Sequence, residues 1–177
     1  MNKLMILLGL AVSMAACAEE VNPDAAPTVH VDVAEVAASG AVVAVDGITS
    51  AGQPDAEALK VFADAGYVAV IDMRGPDEDR GMDDEPAVVE GLGLEYVAFP
   101  IASRDEINFD AAKKLDQLLG AYDNPVLVHC GSGNRVGAVL ALRESLNGAD
   151  DEAAIAYGKN AGLTRLEDLV REILAKE

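Results

Sequence analysis

The sequence predicts an α/β protein in which helices flank a central, mainly parallel sheet, and three observations carry that expectation. Short β-branched runs alternate with amphipathic stretches of helical length from residue 41 onward. The clearest run, residues 67–73 (YVAVIDM), is apolar at alternate and intervening positions alike, as in a strand buried on both faces. Glycine or Asn-Gly closes several amphipathic stretches, where a helix end calls for a left-handed residue. The 177 residues suit one domain with a sizeable core.

The first seventeen residues read as a targeting segment. Lys3 supplies the positive start, and residues 4–12 (LMILLGLAV) form an apolar stretch too short to span a bilayer. Small residues then lead to Cys17 in SMAAC, which resembles the lipobox of bacterial lipoproteins, with Met14 in place of the usual leucine. Cleavage after Ala18 is the alternative. The expectation is export to the periplasm, with lipid on Cys17 as the only membrane contact. Residues 18–40, rich in Ala, Pro, Asp and Val, read as a tether with a short strand at 30–36. His30 would then be solvated, and residues 41–177 would form the domain.

Within that domain the expected order begins with a strand at 42–45. A helix at 54–65 follows, carrying Leu59, Phe62 and Ala63 on one face and ended by Gly66, and then the strand at 67–73. Next come a short helix at 86–92 before Gly93, a strand at 94–99, and a helix at 109–122 with Leu115, Leu118 and Leu119 on its apolar side. Asp123-Asn124-Pro125 breaks that helix. A strand at 126–128, a helix at 135–146 stopped by Asn147-Gly148, and two further helices complete the chain. The last is expected to open at Thr164, in a capping box with Glu167.

Composition excludes several functions. Thirty-one acidic against thirteen basic side chains give a formal net charge of -18, which repels nucleic acid, and no basic run interrupts it. An anionic substrate would need a locally positive site. Cys17 and Cys130 are the only cysteines, so the mature chain can form no internal disulfide, and without a CxxC a thioredoxin-like role is disfavoured. No metal-ligand spacing, Walker loop or dinucleotide fingerprint occurs, so neither metal nor organic cofactor is expected. After export Cys130 would be a lone thiol in an oxidising compartment, a liability unless it is inert or has a use.

Residues 126–140 (VLVHCGSGNRVGAVL) suggest the use. A short buried strand runs into His129 and Cys130, then a glycine-rich turn, then Arg135 at the start of a helix. Backbone N–H groups of the turn (Gly131, Ser132, Gly133 and Asn134) and of the helix start converge on one point, and the helix dipole favours negative charge there. The same field favours the thiolate, the nucleophilic form of cysteine. Arg135 adds a planar fork that matches two oxygens of an anion. His129 is expected to hydrogen-bond backbone and orient the loop. The ligand expected is a small anionic or phosphorylated substrate.

HCGSGNR resembles the phosphate-binding loop of protein tyrosine and dual-specificity phosphatases, His-Cys-x(5)-Arg-Ser/Thr. It is more similar still to the phosphatase-like domain of bacterial beta-lactamase-hydrolase-like proteins, which carries Cys-Arg-Ser-Gly-Thr-Arg-Ser with four residues between Cys and Arg. Here too four intervene. Residues 50–74 (SAGQPDAEALKVFADAGYVAVIDMR) are similar to the same family, so the resemblance covers about residues 47–146. It implies a dual-specificity-phosphatase-like fold and a phosphocysteine intermediate, with Cys130 as nucleophile and Arg135 as oxyanion binder. Asp105, in ASRDEINF, stands where those enzymes place the acid that protonates the leaving oxygen, with Glu106 as its rival. Arg74 would add positive charge at the mouth or pair with Asp77 or Glu78.

Two departures bear on activity. The loop is one residue shorter than in tyrosine phosphatases, and six residues from Cys to Arg inclusive is the length typical of rhodaneses, which carry sulfane sulfur on cysteine. Val136 replaces the hydroxyl residue that helps the thiolate leave. Sulfur transfer through a Cys130 persulfide is therefore the alternative activity. A catalytically inactive module that binds an anion or a partner is the third reading.

Overall fold

A computed structural model describes residues 28–43, 47–123 and 125–176 of the chain. The targeting segment, with Cys17, lies outside the described residues. Five strands, β1 (Thr28–Val31), β2 (Ile48–Ala51), β3 (Ala69–Asp72), β4 (Glu95–Ala98) and β5 (Val126–His129), form one sheet in the order β1-β2-β5-β3-β4, with every pairing parallel. Around it pack α1 (Val33–Ser39), α2 (Ala56–Asp64), α3 (Glu85–Gly91), α4 (Phe109–Leu119), α5 (Asn134–Leu146), α6 (Asp151–Asn160) and α7 (Glu167–Leu174). Among the described residues no helix is long and apolar enough to cross a membrane.

The two-residue period of a strand splits the core into two layers. Ile48, Ala69, Ile71, Val126 and Val128 face a cluster completed by α4, α5, α6 and α7. Ala51, Val70 and Leu127 face the opposite cluster, to which α1, α2 and α3 bring Val36, Leu59, Phe62 and Val89. Burying each such Leu or Phe side chain contributes about 1.5–3 kcal/mol. Central β5 is buried at all four positions, which is why VLVH shows no polar alternation.

The N-terminal part of the domain departs from expectation. Thr28–Val31 is a strand and Val33–Ser39 a helix, within the span expected to be a tether. The strand expected at 30–36 stops at Val31 because Asp32 caps a helix: its side chain accepts the N–H groups of Ala34 and Glu35. Residues 42–43 are not strand, and 44–46 lie outside the described residues. The strand of this region is instead Ile48–Ala51, disguised by two polar residues that are fully buried and satisfied. Thr49 bonds the Tyr67 hydroxyl at 2.5 Å, and Ser50 donates to the Ala161 carbonyl at 2.6 Å.

The expected capping box at Thr164 does not form. The Thr164 hydroxyl is drawn to Asn134 Oδ1 at 3.1 Å, Glu167 pairs with Lys159 and Arg171, and α7 begins only at Glu167. Elsewhere α5 and α6 meet through glycines. A Cβ on Gly137 would stand 2.6 Å from the Gly158 carbonyl oxygen, and one on Gly158 would stand 2.7 Å from that of Gly137. The two helix backbones therefore touch where α5 leaves the sheet edge.

Candidate active site

Cys130 directly follows β5, at the carboxyl edge where parallel sheets place their sites. Its N–H donates to the Ala51 carbonyl at 3.4 Å, and only 1% of its surface is exposed. The loop turns at Gly133, whose φ of +78° suits glycine, and Ser132 bridges to Gly52 in the next segment. Gly133 is also the N-cap of α5 and supplies no side-chain acceptor, so the first N–H groups of α5 are left for an anion.

Arg135 is fixed before any ligand arrives. Its Nη1 and Nη2 donate to the two Glu78 oxygens at 2.6 and 2.7 Å, and Nη1 also donates to the carbonyls of Ile101 at 2.9 Å and Met73 at 3.3 Å. These bonds engage both terminal nitrogens and fix the direction of the guanidinium beside the loop. The hydrogen bonds with Glu78 push the Arg135 pKa up, against the desolvation that comes with burial. In turn, hydrogen bonding to Arg135 holds the Glu78 carboxyl at about 2.

Arg74 is paired, as one of the two sequence readings had it. Its Nε donates to Glu78 at 3.2 Å and its Nη1 to Gln53 at 2.9 Å. It still contributes charge beside the loop, since a Cβ on Gly131 would lie 3.7 Å from Arg135 Nη2 and 3.9 Å from Arg74 Nη1. Arg74 also lines a cavity of about 550 Å³ with Arg80, Glu85, Tyr96 and Pro100.

Other expected site residues fall differently. Asn134 gives the loop only its backbone: its side-chain oxygen turns to the Thr164 N–H at 2.8 Å and ties the α6–α7 connection to the loop. The exposed Asp105 sits in a 3-10 turn (Arg104–Glu106), on the connection that starts at Arg135's acceptor Ile101. Glu106 is already engaged, accepting the N–H groups of Ala102 and Ser103, which leaves Asp105 the freer carboxylate.

His129 does not bond backbone through its ring as expected. The strand period turns it, like its register neighbour Asp72, onto the α2–α3 side. There Nε2 lies 3.1 Å from Glu85 Oε1 and 3.7 Å from Asp72 Oδ1, without hydrogen-bond geometry. All three residues are buried, and their ligand atoms are close enough to suit a metal ion. The chain's own cation answers much of that charge: Arg80 lies 2.8 Å from Asp72 and 3.4 Å from Glu85. Tyr96 donates to Asp72 at 2.8 Å.

Sequence reasoning missed three contributors. Glu78 was legible only as a partner of Arg74, while Glu85 and Asp72 were hidden among thirty-one acidic residues. His30 is exposed, as expected, but one side of its ring lies against Gly133 of the loop and Gly162 of the α6–α7 connection.

A thiol at the end of a central parallel strand, a glycine turn and a braced arginine opening a helix define a cysteine-based phosphatase fold. The family model described as "Beta-lactamase hydrolase-like protein, phosphatase-like domain" matches residues 42–147, more than half of the chain, and the chain belongs to that family. Curated relatives named beta-lactamase hydrolase-like protein, from the Temecula1 and 9a5c strains of Xylella fastidiosa, are 29% identical over 120 residues. That is 64% of this chain and 28% of theirs, so the chain spans little more than a quarter of their length.

Solved structures share the fold. A candidate phosphatase of Neisseria meningitidis superposes with a TM-score of 0.64 at 21% identity, over 74% of this chain and 94% of that one. TpbA of Pseudomonas aeruginosa gives 0.52 at 16% identity, over 75% and 81%. Kinase associated phosphatase, in a form whose catalytic-site cysteine is replaced by serine, gives 0.53 at 13% identity, over 73% and 87%.

Proposed function

We propose that the chain is a cysteine-dependent hydrolase of phosphate esters, with Cys130 as nucleophile and Arg135 as oxyanion binder. The observation that carries this reading is the bracing of Arg135 by Glu78, Met73 and Ile101 beside an α5 N-terminus that lacks a side-chain cap. Such donors are aimed before reaction, so they need little reorganisation as charge builds on the phosphoryl oxygens. The thiolate attacks phosphorus, forming a P–S bond as the ester P–O bond breaks, and Asp105 gives its proton to the departing oxygen. Water then attacks phosphorus, giving a proton to the Asp105 carboxylate as the P–S bond breaks, which releases phosphate and the thiolate. The site falls within the matched residues 42–147, and the fold neighbours described as phosphatases support the class of reaction.

Intact-mass analysis after mixing with an aryl phosphate tests the reading. A phosphate adduct is expected on the wild-type chain and absent from Cys130→Ser, which should lose turnover while keeping its fold. Turnover retained in Cys130→Ser overturns it. The six-residue Cys-to-Arg span favours a second reading, sulfur transfer. A sulfur adduct from thiosulfate, with no phosphate adduct, would select that one. We also propose that the domain is exported and tethered through lipid on Cys17, on the strength of LMILLGLAVSMAAC.

A further inference from the structure

We infer that His30, delivered by β1, is a positioning residue for the anion loop, so that affinity for a phosphoryl group depends on a strand outside the family-matched residues 42–147. The inference rests on reading residues 130–135 as that loop.

The contact is close and two-sided. A Cβ on Gly133 would stand 2.3 Å from His30 Cε1 and 2.8 Å from Nδ1, while one on Gly162 would stand 2.7 Å from Nδ1 and 2.9 Å from Cε1. The imidazole, in a residue that is otherwise exposed, therefore lies against both residues at a distance that only glycine permits. Its Nδ1 lies 3.3 Å from Ser50 Oγ, and Ser50 donates to the Ala161 carbonyl, so the ring is held at its base while its edge meets the loop. Register explains the placement. His30 pairs with Ser50, and Ser50 with Val128, so all three project toward the layer that contains α5.

Side-chain positions on an anion loop point away from the ligand when the N–H groups point toward it. A ring seated at the missing Cβ of Gly133 thus backs the loop rather than entering the cup. Gly133 has a positive φ and no side chain of its own, and would otherwise be the loop's least restrained point. Asn134, the next residue, is tied to Thr164, so His30 and Asn134 brace the loop against the same α6–α7 connection. A small misplacement of donors that must meet a phosphoryl group lowers both binding and rate.

The test measures protection against thermal unfolding by inorganic phosphate, together with KM and kcat for an aryl phosphate, in the full chain. His30→Ala should weaken the phosphate Kd and raise KM about three- to tenfold, with kcat changed less, and His30→Gln, which keeps reach and polarity, should recover most of the loss. A double-mutant cycle with Gly162→Ala separates positioning from general stability. The added methyl collides with the ring in the wild-type background and finds room in His30→Ala, so the two effects on phosphate affinity should not add. Backbone strain at Gly162 is common to both backgrounds and cancels. Strict additivity, or a change in unfolding temperature with Kd and KM untouched, overturns the inference. No phosphate protection of the wild-type chain would instead overturn the reading of the loop itself.

Discussion

Glu78 grips Arg135 end-on, with both carboxylate oxygens within 2.7 Å of the two terminal guanidinium nitrogens. Glu78 also accepts the Gly75 N–H at 2.7 Å and takes Arg74 at 3.2 Å, so one carboxylate fixes the directions of two arginines beside the loop.

Glu78→Gln should lower kcat/KM for an aryl phosphate about tenfold or more, because the oxyanion binder loses its orienting partner. It should also change acid stability. A folded-state pKa of about 2, below the ordinary value of 4.5, means that Glu78 stabilises the fold fully above about pH 4.5 and loses that contribution as pH falls toward 2. Unfolding midpoints measured across that window should converge for wild type and Glu78→Gln at the acid end. A constant gap between them would show that the ion pair contributes nothing pH-dependent.

Val136→Thr should raise steady-state phosphatase turnover. Val136 is fully buried in the cluster that contains Cys130, and it offers no donor to a departing sulfur. A hydroxyl there supplies about 1.5–3 kcal/mol to a charged leaving group, a rate change of about ten- to a hundredfold, and threonine keeps a methyl for the core. Stopped-flow kinetics should show a burst and slow turnover in wild type, relieved in the variant. Unchanged turnover, or a wild type with no burst, removes this account of the valine.

Asp105→Asn should separate substrates by leaving group. Hydrolysis of an alkyl phosphate, whose oxygen needs a proton, should fall about a hundredfold or more, while an activated aryl phosphate should be little affected. Equal losses on both substrates would assign Asp105 to binding or folding.

Cys17→Ser should move the protein from the membrane fraction to the soluble periplasm of a bacterial host. Wild type found soluble and beginning at Glu19 would replace the lipid anchor with an ordinary secretory signal.

The layering and the loop were legible in the sequence because each has a local signature. YVAVIDM reads as a buried strand by its unbroken apolar character, and HCGSGNR carries its spacing within a few residues. The bracing was not legible, because it joins residues distant in the chain. Arg135 and Glu78 are fifty-seven residues apart, and nothing near Glu78 distinguishes it from Asp77 or Asp79. β2 was missed because Thr49 and Ser50 look exposed until their partners Tyr67 and Ala161 are in place. His129 was assigned the wrong partner because sequence places it in the loop, whereas pairing places it beside Asp72.

The glycine contact between α5 and α6 makes the chemistry vulnerable at a distance along the chain. Arg135 stands two residues before Gly137, on the same rigid helix, and Gly137 has no slack against Gly158. A methyl at Gly158 can be accommodated only by displacing a helix, and a displaced α5 carries its amide donors and its arginine with it. A mutational scan for lost activity would therefore score Gly158 beside the residues that touch substrate, although it lies twenty-eight positions beyond the thiol. Its defect would be recognised by weakened phosphate binding in a protein that still folds.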